Sequence, residues 1–519
     1  MPFLDLHNLP ATGLSADFDV VITGAGAAGI LLAVKLSEKK KKVLLLESGH
    51  FELDESRQEL NTVAQTGKFL SNAVWGRKRA IGGTTIAWGG QSLPFSPIDF
   101  EKRSWVCNSG WPVNYTDLQE HYKQANSFMK IDTQDYEDDI FRLLGMKRVA
   151  FDDQLIRYHF SKWAPEPNFK KLYAHYLEQN VTVVYNAVVT AIQLNEQGRA
   201  DTVEVSDFAG KRHTVKTAQL IIAAGGIETN RILLSNNQQV KGGIGNHSGW
   251  LGKCFMDHPC IKVGTITTHK PFELQSYFNT HIINKRRYSI RMSAATQMQR
   301  SHNLLNGSAG IMFAYPDEGN DPYLEIKRFL SAKKLSSLKV VAGNFNTYLR
   351  AAYAYVNRHF VYKHKAEGRV VLMMEQEPVR ESYIGLTSEK DRFGIPKAVI
   401  NWTITRKTWD AVVQMTNVLS SEIQRLSFGI VHPEPGILKN NEGWMELLSD
   451  VNHHMGGARM SETASDGVVN KDLQVWGHDN IYICSSAVFP TGSHSNPTLT
   501  LLALAQRLAD KLTANEYYQ

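Results

Sequence analysis

Residues Asp19–Gly49 read DVVITGAGAAGILLAVKLSEKKKKVLLLESG, and no other part of the chain says more about its architecture. An apolar run at Val20–Thr23 predicts a buried strand, and a second run at Val43–Leu46 predicts another. The residues between them have the length and pattern of an amphipathic helix. A strand, a glycine-rich turn, a helix and a second strand in this order predict the βαβ unit of a dinucleotide-binding sheet.

Three glycines in this stretch follow the spacing Gly-x-Gly-x-x-Gly, at Gly24, Gly26 and Gly29. In such a turn the first glycine permits a tight bend and the second lets the backbone approach a pyrophosphate at the helix N-terminus. The third lets helix and strand pack closely. We count Ala27, at the predicted start of the helix, with this binding turn. Glu47 ends the second strand, where its carboxylate would accept from ribose hydroxyls and repel a 2′-phosphate, which argues against NADP. The pattern is compatible with both NAD and FAD.

Two further segments place small residues where a nucleotide cofactor would need close backbone approach. Arg77–Gly90 (RKRAIGGTTIAWGG) predicts a loop whose N–H groups and hydroxyls suit a ribityl chain or an isoalloxazine edge. In Leu220–Ser235 (LIIAAGGIETNRILLS) a buried strand again meets small residues and then a helix. Between them, Thr182–Leu194 reads as a strand, and the segment VEVSDFAGKRHTVK after it reads as a hairpin.

Length, charge and cysteine content limit the domain organisation, the partners and the location that we expect for the chain. The 519 residues predict about three domain-sized units or two larger interleaved ones. A net charge of +6, with the basic residues mostly spread out, argues against nucleic acid as a partner. The four cysteines have no zinc or disulfide spacing, and the N-terminus has no apolar run, so we expect a reducing, cytoplasmic location.

The segment Val451–Ser461 (VNHHMGGARMS) places two histidines before a pair of glycines. Neighbouring side chains in an extended segment point to opposite faces, so at most one of His453 and His454 should address a given site. A neutral imidazole, with a reference pKa of about 6.5, is well matched to removing a hydroxyl proton near neutral pH. These histidines and His494 lack the spacing of a metal-binding helix and a placed carboxylate, so we predict no metal site.

The C-terminal segment SNPTLTLLALAQRLADKL predicts a helix with Asn496 as N-cap and Pro497 at its first position. Its N-terminus, aimed at a flavin, would stabilise the negative charge that develops on reduction. Taken by itself, Asn496 is explained at least as well by helix capping as by catalysis.

Motifs along nearly the whole chain occur in the order of one known family: GAGAAG, GGTT, AAGGIETNRILL, FMDHP, HHMGGARM and NPTLT. On these motifs the chain resembles the glucose-methanol-choline (GMC) oxidoreductases, flavoenzymes that oxidise alcohols. The segments IGGTTIAW, SGWPVNYTDLQEHY, FMDHP and EQEPVRESYIGLTSEKD are similar to the branch that contains pyranose oxidase and fructose dehydrogenase.

The resemblance implies an α/β fold with a discontinuous Rossmann-like FAD-binding domain. That domain would consist of residues 15–100, 170–262 and 452–519. Residues 101–169 and 263–451 would form a substrate-binding domain with an antiparallel sheet, helices and lid segments.

The resemblance also implies site residues. In the family pattern H-x-x-G-x-x-R-M, counting back from Gly456 and Met460 assigns the catalytic histidine to His453, and Asn496 takes the place of the second catalytic residue. The cofactor-binding positions that it implies are Gly24, Gly26, Ala27, Gly29, Glu47, Gly82, Gly83, Thr84, Trp88, Val188, Ala224, Gly225, Ser486, Pro497 and Thr498.

Two positions depart from the family. Pyranose oxidases attach FAD through a histidine immediately before the tryptophan of the second loop, where this chain has Ala87 before Trp88. Alanine cannot form that bond, so we predict non-covalent FAD. Ser485-Ser486-Ala487 replaces the family's Asp-Ala-Ser, which puts a carboxylate contact to the flavin in doubt.

The sequence therefore predicts FAD-dependent oxidation of an alcohol, in the first place a secondary hydroxyl of a sugar or glycoside. His453 would remove the proton, and hydride would pass to flavin N5. Oxygen, or a quinone or protein carrier, would take the electrons. The alternatives are oxidation of a non-sugar alcohol, a non-redox FAD-containing lyase of the same family, and a plain NAD-binding protein.

The middle of the chain carries no nucleotide motif. Glu367–Ser388 and Gly394–Thr405 read as strands of an antiparallel sheet that would cover the flavin. Residues 323–365 read as basic amphipathic helices, for which a solvated face is our first choice over membrane contact, a partner interface or a lid.

Overall fold

The structure of the protein, a computed structural model, describes residues 3–10, 14, 16–316, 321–324 and 343–514. In chain order the strands of this described part are β1 Leu4–Asp5, β2 Phe18–Thr23, β3 Val43–Leu46, β4 Val63–Gly67, β5 Gln91–Ser92, β6 Ile156–Trp163, β7 Thr182–Tyr185, β8 Val188–Leu194, β9 Ala200–Ser206, β10 Arg212–Ile222, β11 Lys253–Met256, β12 Cys260–Thr267, β13 Thr280–Ile283, β14 Arg286–Ala294, β15 Gly307–Ala314, β16 Glu367–Met374, β17 Tyr383–Lys390, β18 Pro396–Trp402, β19 Ile430–Pro433, β20 Met455–Gly457 and β21 Ile481–Ile483.

The helices of the same part are α1 Ala27–Glu38, α2 Glu55–Gln58, α3 Pro97–Phe100, α4 Tyr115–Phe128, α5 Asp138–Leu144, α6 Phe169–Asn180, α7 Gly225–Ser235, α8 Pro271–Phe278, α9 Thr296–His302, α10 Phe345–Arg358, α11 Arg406–Arg425 and α12 Pro497–Ala514. Short 3-10 turns lie between several of them, including Gly83–Ile86 and Ser486–Val488.

A parallel sheet forms the centre of the nucleotide half. Its strands lie in the order β1, β7, β3, β2, β10 and β21, and neighbours run parallel throughout. The strand order reverses between β2 and β10, and the crevice at the carboxyl ends of such strands is where doubly wound sheets bind nucleotides. Helix α1 returns from β2 to β3 and packs against α6 and α12. This confirms the predicted Rossmann-like βαβ unit at the glycine-rich turn.

The predicted strand Thr182–Leu194 is wrong as a single element, because it breaks into β7 and β8. Asn186 has a φ of +55°, and its N–H donates to the carbonyl of Gly49. Strand β7 stays in the parallel sheet, whereas β8 turns away to pair with β9. Strands β9 and β10 form the predicted antiparallel hairpin.

Two mixed or antiparallel sheets form the other half. One contains β19, β12, β16, β15, β14, β6 and β5, and the other contains β20, β11, β17, β18 and β4. The segment Glu367–Ser388, expected to contribute to one antiparallel sheet, contains β16 and β17, which belong to different sheets. The second pair, β17 and β18, is antiparallel as expected. Strand β4, from the N-terminal part of the chain, pairs with β18 in parallel.

Each half has its own apolar core. One surrounds the parallel sheet, including the fully buried Leu31 and Leu45, and the other lies under the antiparallel strands around Trp402 and Trp409. Of the basic segment 323–365, residues 325–342 lie outside the described part, and α10 forms its end. Among the described helices, none combines the length and apolarity needed to span a bilayer.

Candidate functional site

A cavity of about 740 Å³ opens at the carboxyl ends of β2, β3, β10 and β21 and extends to the histidine doublet. Most of the residues predicted from the sequence line it. They are Gly24, Gly26, Ala27, Glu47, Gly83, Thr84, Trp88, Val188, Ala224, Gly225, His453, Ser486, Asn496, Pro497 and Thr498. Gly29 and Gly82 lie behind this wall and support it. The structure thus places both sets of predicted residues around one space.

The glycine turn forms one end of the cavity. Gly24 has a φ of +101°, which glycine adopts without strain. A Cβ on Gly29 would lie 1.9 Å from the Gly24 carbonyl oxygen, so α1 can approach β2 only because that Cβ is missing. A Cβ on Gly26 would meet nothing within 4 Å, because it would point into open space at the N-terminus of α1. Free N–H groups at a helix N-terminus suit an anion such as a pyrophosphate.

The second glycine loop closes on the first. The N–H of Gly82 donates to the carbonyl of Ala25 at 2.9 Å, and Gly82 has a φ of +100°. A Cβ on Gly83 would lie 2.7 Å from the Cα of Gly26, so the two backbones are nearly in contact. The loop therefore holds Gly83 and Thr84 at the cavity wall, and the indole of Trp88 is fixed by donating to the Pro167 carbonyl at 2.8 Å.

Glu47 is buried, with 5% of its surface exposed, at the end of β3. Its carboxylate accepts from the backbone N–H groups of Ala25 at 2.9 Å and Gly49 at 2.7 Å. Burial raises the pKa of Glu47, and these two N–H groups and the Arg79 guanidinium oppose that effect. The carboxylate thus ties the glycine turn to β3 while it also faces the cavity.

An ion pair that the sequence did not predict lies in the same wall. Arg79 pairs with Glu228 at 2.7 Å, and Glu228 also pairs with Arg231 at 3.1 Å. Burial alone would raise the pKa of Glu228, but the two guanidinium groups hold it at about 2. Both Arg79 and Glu228 belong to motifs quoted above, yet only the fold brings them together. They link the second glycine loop to α7.

The histidine doublet lies at the other end of the cavity, and the two rings have different surroundings. His453 Nε2 is 3.1 Å from Asn496 Nδ2, and His453 Nδ1 is 2.8 Å from Nδ1 of His258. Burial, and then the neighbouring His258 and His454, lower the pKa of His453 well below 6.5. His453 is therefore a neutral base near pH 7, and Asn496 lies immediately before the first residue of α12, as predicted.

His454 points away from that pair. Its ring stacks on Phe255, and its Nε2 lies 3.7 Å from Asp257 Oδ2. Burial lowers the pKa of His454 to about 3 and raises that of Asp257 to about 7. His494, the third histidine near the glycine-rich C-terminal segments, stacks on His159 and does not line the cavity.

Several further residues line the cavity that sequence reasoning missed. They include two indoles and three amide side chains, those of Asn72, Trp75, Gln91, Trp163 and Asn452. None of the described residues of the segment 263–450, which was expected to cover the flavin, lines this cavity. Four of these residues lie next to the second glycine loop or the histidine doublet in the sequence, whereas nothing in the sequence points to Trp163, at the end of β6.

The cavity lies at the carboxyl ends of a parallel sheet, with a glycine turn at one end and a neutral imidazole beside an amide at the other. Such an arrangement is typical of oxidoreductases that use a nucleotide cofactor. Residues 378–505 match the sequence profile of the GMC oxidoreductases. The chain is 22% identical to the fructose dehydrogenase large subunit of Gluconobacter japonicus, over 95% of this chain and 97% of that protein. It is 21% identical to 2-methyl-1,2-propanediol dehydrogenase of Mycolicibacterium austroafricanum, over 95% of each.

Pyridoxine 4-oxidase from Mesorbium loti has a similar structure, with a TM-score of 0.57, 14% identity, and coverage of 95% of this chain and 99% of that one. The C-terminal match and the full-length similarities all point to the GMC oxidoreductases, and they indicate FAD as the cofactor. The residues present fit that cofactor. Gly26 and Gly225 would each direct a Cβ into open space, so the backbone there is accessible to a dinucleotide, and Glu47 faces the same space.

Proposed function

We propose that the protein oxidises a hydroxyl group to a carbonyl, in the first place a secondary hydroxyl of a sugar or glycoside. The observation that carries this proposal is the pairing of His453 Nε2 with Asn496 Nδ2 at 3.1 Å in the wall of the cofactor cavity. A glycine-lined wall for the cofactor and a base for the substrate's hydroxyl proton lie in one cavity. Oxidation of an alcohol by a bound cofactor requires this arrangement.

The chemistry of the two side chains divides into proton removal and positioning. His453 is neutral near pH 7 because its pKa is lowered, so it accepts the hydroxyl proton as that oxygen becomes a carbonyl. The Asn496 amide donates to the same oxygen and fixes the orientation of the carbon that bears it. FAD, when bound, supplies the two-electron acceptor for the hydrogen on that carbon. The N-terminus of α12, beginning at Pro497 beside Thr498, favours negative charge on the group it faces.

The cavity lining supports a polyhydroxy substrate. Trp75 and Trp163 can stack on the apolar face of a sugar ring, and the amides of Asn72 and Gln91 can bond its hydroxyls. Two of the relatives that match over nearly their full length are named for fructose and for a diol, which are both compounds with several hydroxyl groups. A non-sugar alcohol is the second candidate, favoured by the diol dehydrogenase.

The decisive experiment is anaerobic bleaching of the flavin absorbance by mono- and disaccharides, glycosides and aliphatic alcohols. We expect a sugar or glycoside to bleach the flavin faster than any simple alcohol. Bleaching by aliphatic alcohols alone would select the second candidate. If no alcohol reduces the flavin, the redox proposal fails and a lyase that only moves protons is favoured.

Two further properties of the proposed enzyme are the attachment of its FAD and the identity of its electron acceptor. Ala87 lines the cavity where a histidine would be needed for a covalent bond, so we propose that FAD is held non-covalently and is released on denaturation. The electron acceptor is oxygen, or a quinone or protein carrier. Reoxidation of the reduced flavin in air, compared with reoxidation by a soluble quinone, separates an oxidase from a dehydrogenase.

The proposed domain division and location rest on further observations. Residues 15–100, 170–262 and 452–519 supply most of the parallel sheet and nearly all of the cavity lining. This supports their assignment as the FAD-binding domain, with residues 101–169 and 263–451 as the substrate-binding domain. All four cysteines are free, which suits a reducing, cytoplasmic compartment.

A further inference from the structure

We propose that His258 is a positioning residue that fixes the tautomer of neutral His453, so that the nitrogen facing the substrate is unprotonated before the reaction. His258 follows β11 in the FMDHP segment and is fully buried. Its ring meets that of His453 nearly at a right angle, with centroids 4.9 Å apart. This inference rests on the proposed function, because it concerns the base of that reaction.

The direction of the hydrogen bonds follows from one group that can only accept. Nε2 of His258 lies 3.0 Å from the carbonyl oxygen of Gly492, so that nitrogen carries the proton and donates it to the carbonyl. Burial lowers the pKa of His258 to about 4, so the ring is neutral and its Nδ1 has a free lone pair. Nδ1 of His258 is therefore an acceptor.

The contact between the two rings then has only one solution. The Nδ1 atoms of His258 and His453 lie 2.8 Å apart, and one of them must donate. Because Nδ1 of His258 accepts this hydrogen bond, His453 carries its proton on Nδ1, and its Nε2 is unprotonated. Asn496 Nδ2 donates to that unprotonated nitrogen at 3.1 Å, as this assignment of the His453 proton requires. Each hydrogen bond in the series from Asn496 through His453 and His258 to Gly492 thus donates in the same direction.

The same arrangement serves the protonated base. When His453 takes a proton on Nε2 it becomes a cation, and its Nδ1–H still donates to the neutral His258. Asp257 holds the two residues in register, because its Oδ1 accepts from the backbone N–H of His258 at 2.6 Å and of His453 at 3.1 Å. A hydrogen bond at one ring nitrogen decides the role of the other.

Two substitutions separate this role from simple packing. In His258→Asn the amide oxygen can occupy the place of Nδ1 and accept from His453. In His258→Gln the amide can occupy the place of Nε2 and donate to Gly492, but nothing accepts from His453. Both variants remove the ring, so they differ mainly in the acceptor. The FAD content and thermal midpoint of each are measured first, to establish that each variant is folded.

The direct readout is the ¹⁵N resonance of His453 in the FAD-bound protein without substrate, assigned by its loss in His453→Gln. We expect an unprotonated Nε2 in the wild type and in His258→Asn, and a mixture of tautomers in His258→Gln. The flavin reduction rate should fall about 10²-fold or more in His258→Gln, the range for losing a correctly held general base. It should fall far less in His258→Asn, with substrate affinity unchanged in both.

A wild-type His453 that carries its proton on Nε2 would overturn the proposal without any variant. Equal rate losses in the two variants, or an unprotonated Nε2 in His258→Gln, would leave His258 with a packing role only. Failure of the proposed function has a different signature. In that case His453→Ala would reduce flavin as fast as the wild type, or no alcohol would reduce it, while the ¹⁵N result without substrate would stand by itself.

Discussion

The clearest test of the cofactor cradle is the substitution Gly26→Ala. In the protein without cofactor the new methyl group meets nothing within 4 Å, and the φ of −86° at Gly26 is ordinary for alanine. The free energy of unfolding of the variant apoprotein should therefore lie within about 1 kcal/mol of the wild-type value. Alanine restricts the unfolded chain, which stabilises the fold, but it is a weaker N-cap than glycine. The methyl group occupies space that we assign to the pyrophosphate, and overpacking costs about 1–3 kcal/mol. FAD affinity should fall about 5- to 150-fold.

The assay is titration of the apoprotein with FAD, followed by flavin fluorescence, together with thermal unfolding without FAD. The matched control is Gly29→Ala, whose methyl group would lie 1.9 Å from the Gly24 carbonyl oxygen. That variant should be destabilised even without cofactor, because α1 must move away from β2. If Gly26→Ala binds FAD as tightly as the wild type, the pyrophosphate does not pass Gly26 and the proposed orientation of FAD is wrong.

Three further outcomes are expected. His453→Ala should lower the flavin reduction rate about 10²- to 10⁴-fold with FAD still bound, and His454→Ala should lower it far less; equal losses in stopped-flow measurements would contradict the assignment. Arg103 and Glu375 form a fully buried ion pair, so Glu375→Gln should cost about 3–5 kcal/mol by leaving a buried charge. Replacing both by leucine should recover much of that in denaturant unfolding, and no recovery would argue against the ion pair as the cause. Burial lowers the pKa of His159 well below 6.5, so this ring stays neutral in the folded protein while the unfolded chain binds a proton. Stability is then lost as pH falls below 6.5, and His159→Phe should remove about 1.4 kcal/mol of that loss per pH unit. Parallel stability curves for wild type and variant between pH 6.5 and 5 would refute this.

The nucleotide half of the fold could be predicted from local patterns in the sequence. The turn Gly24–Gly29, the strand that ends at Glu47 and the helix that begins at Pro497 are all features of consecutive residues, and each is found where it was predicted. The break of a predicted strand at Asn186 was missed, because a left-handed asparagine leaves no mark in an apolar pattern.

The parts that could not be predicted are contacts between distant residues. His258 and His453 meet across 195 positions, and Arg79 meets Glu228 only because α7 lies against the second glycine loop. The distinction between His453 and His454 came from the register of a family motif. The structure adds a physical difference, since one ring faces Asn496 and the other faces Asp257, and the catalytic assignment of His453 stays a prediction.

The position of β21 and α12 at the far end of the chain has a consequence for biosynthesis. Strand β21 pairs with β10, and the cavity wall is completed by His453, Asn496 and Pro497, which follow hundreds of residues after the glycine turn. A ribosome therefore releases the first half of the cradle long before its last strand exists. FAD capture has to wait until that C-terminal segment has emerged, so newly made chains keep an open apolar sheet edge while the residues between β10 and β21 are synthesised.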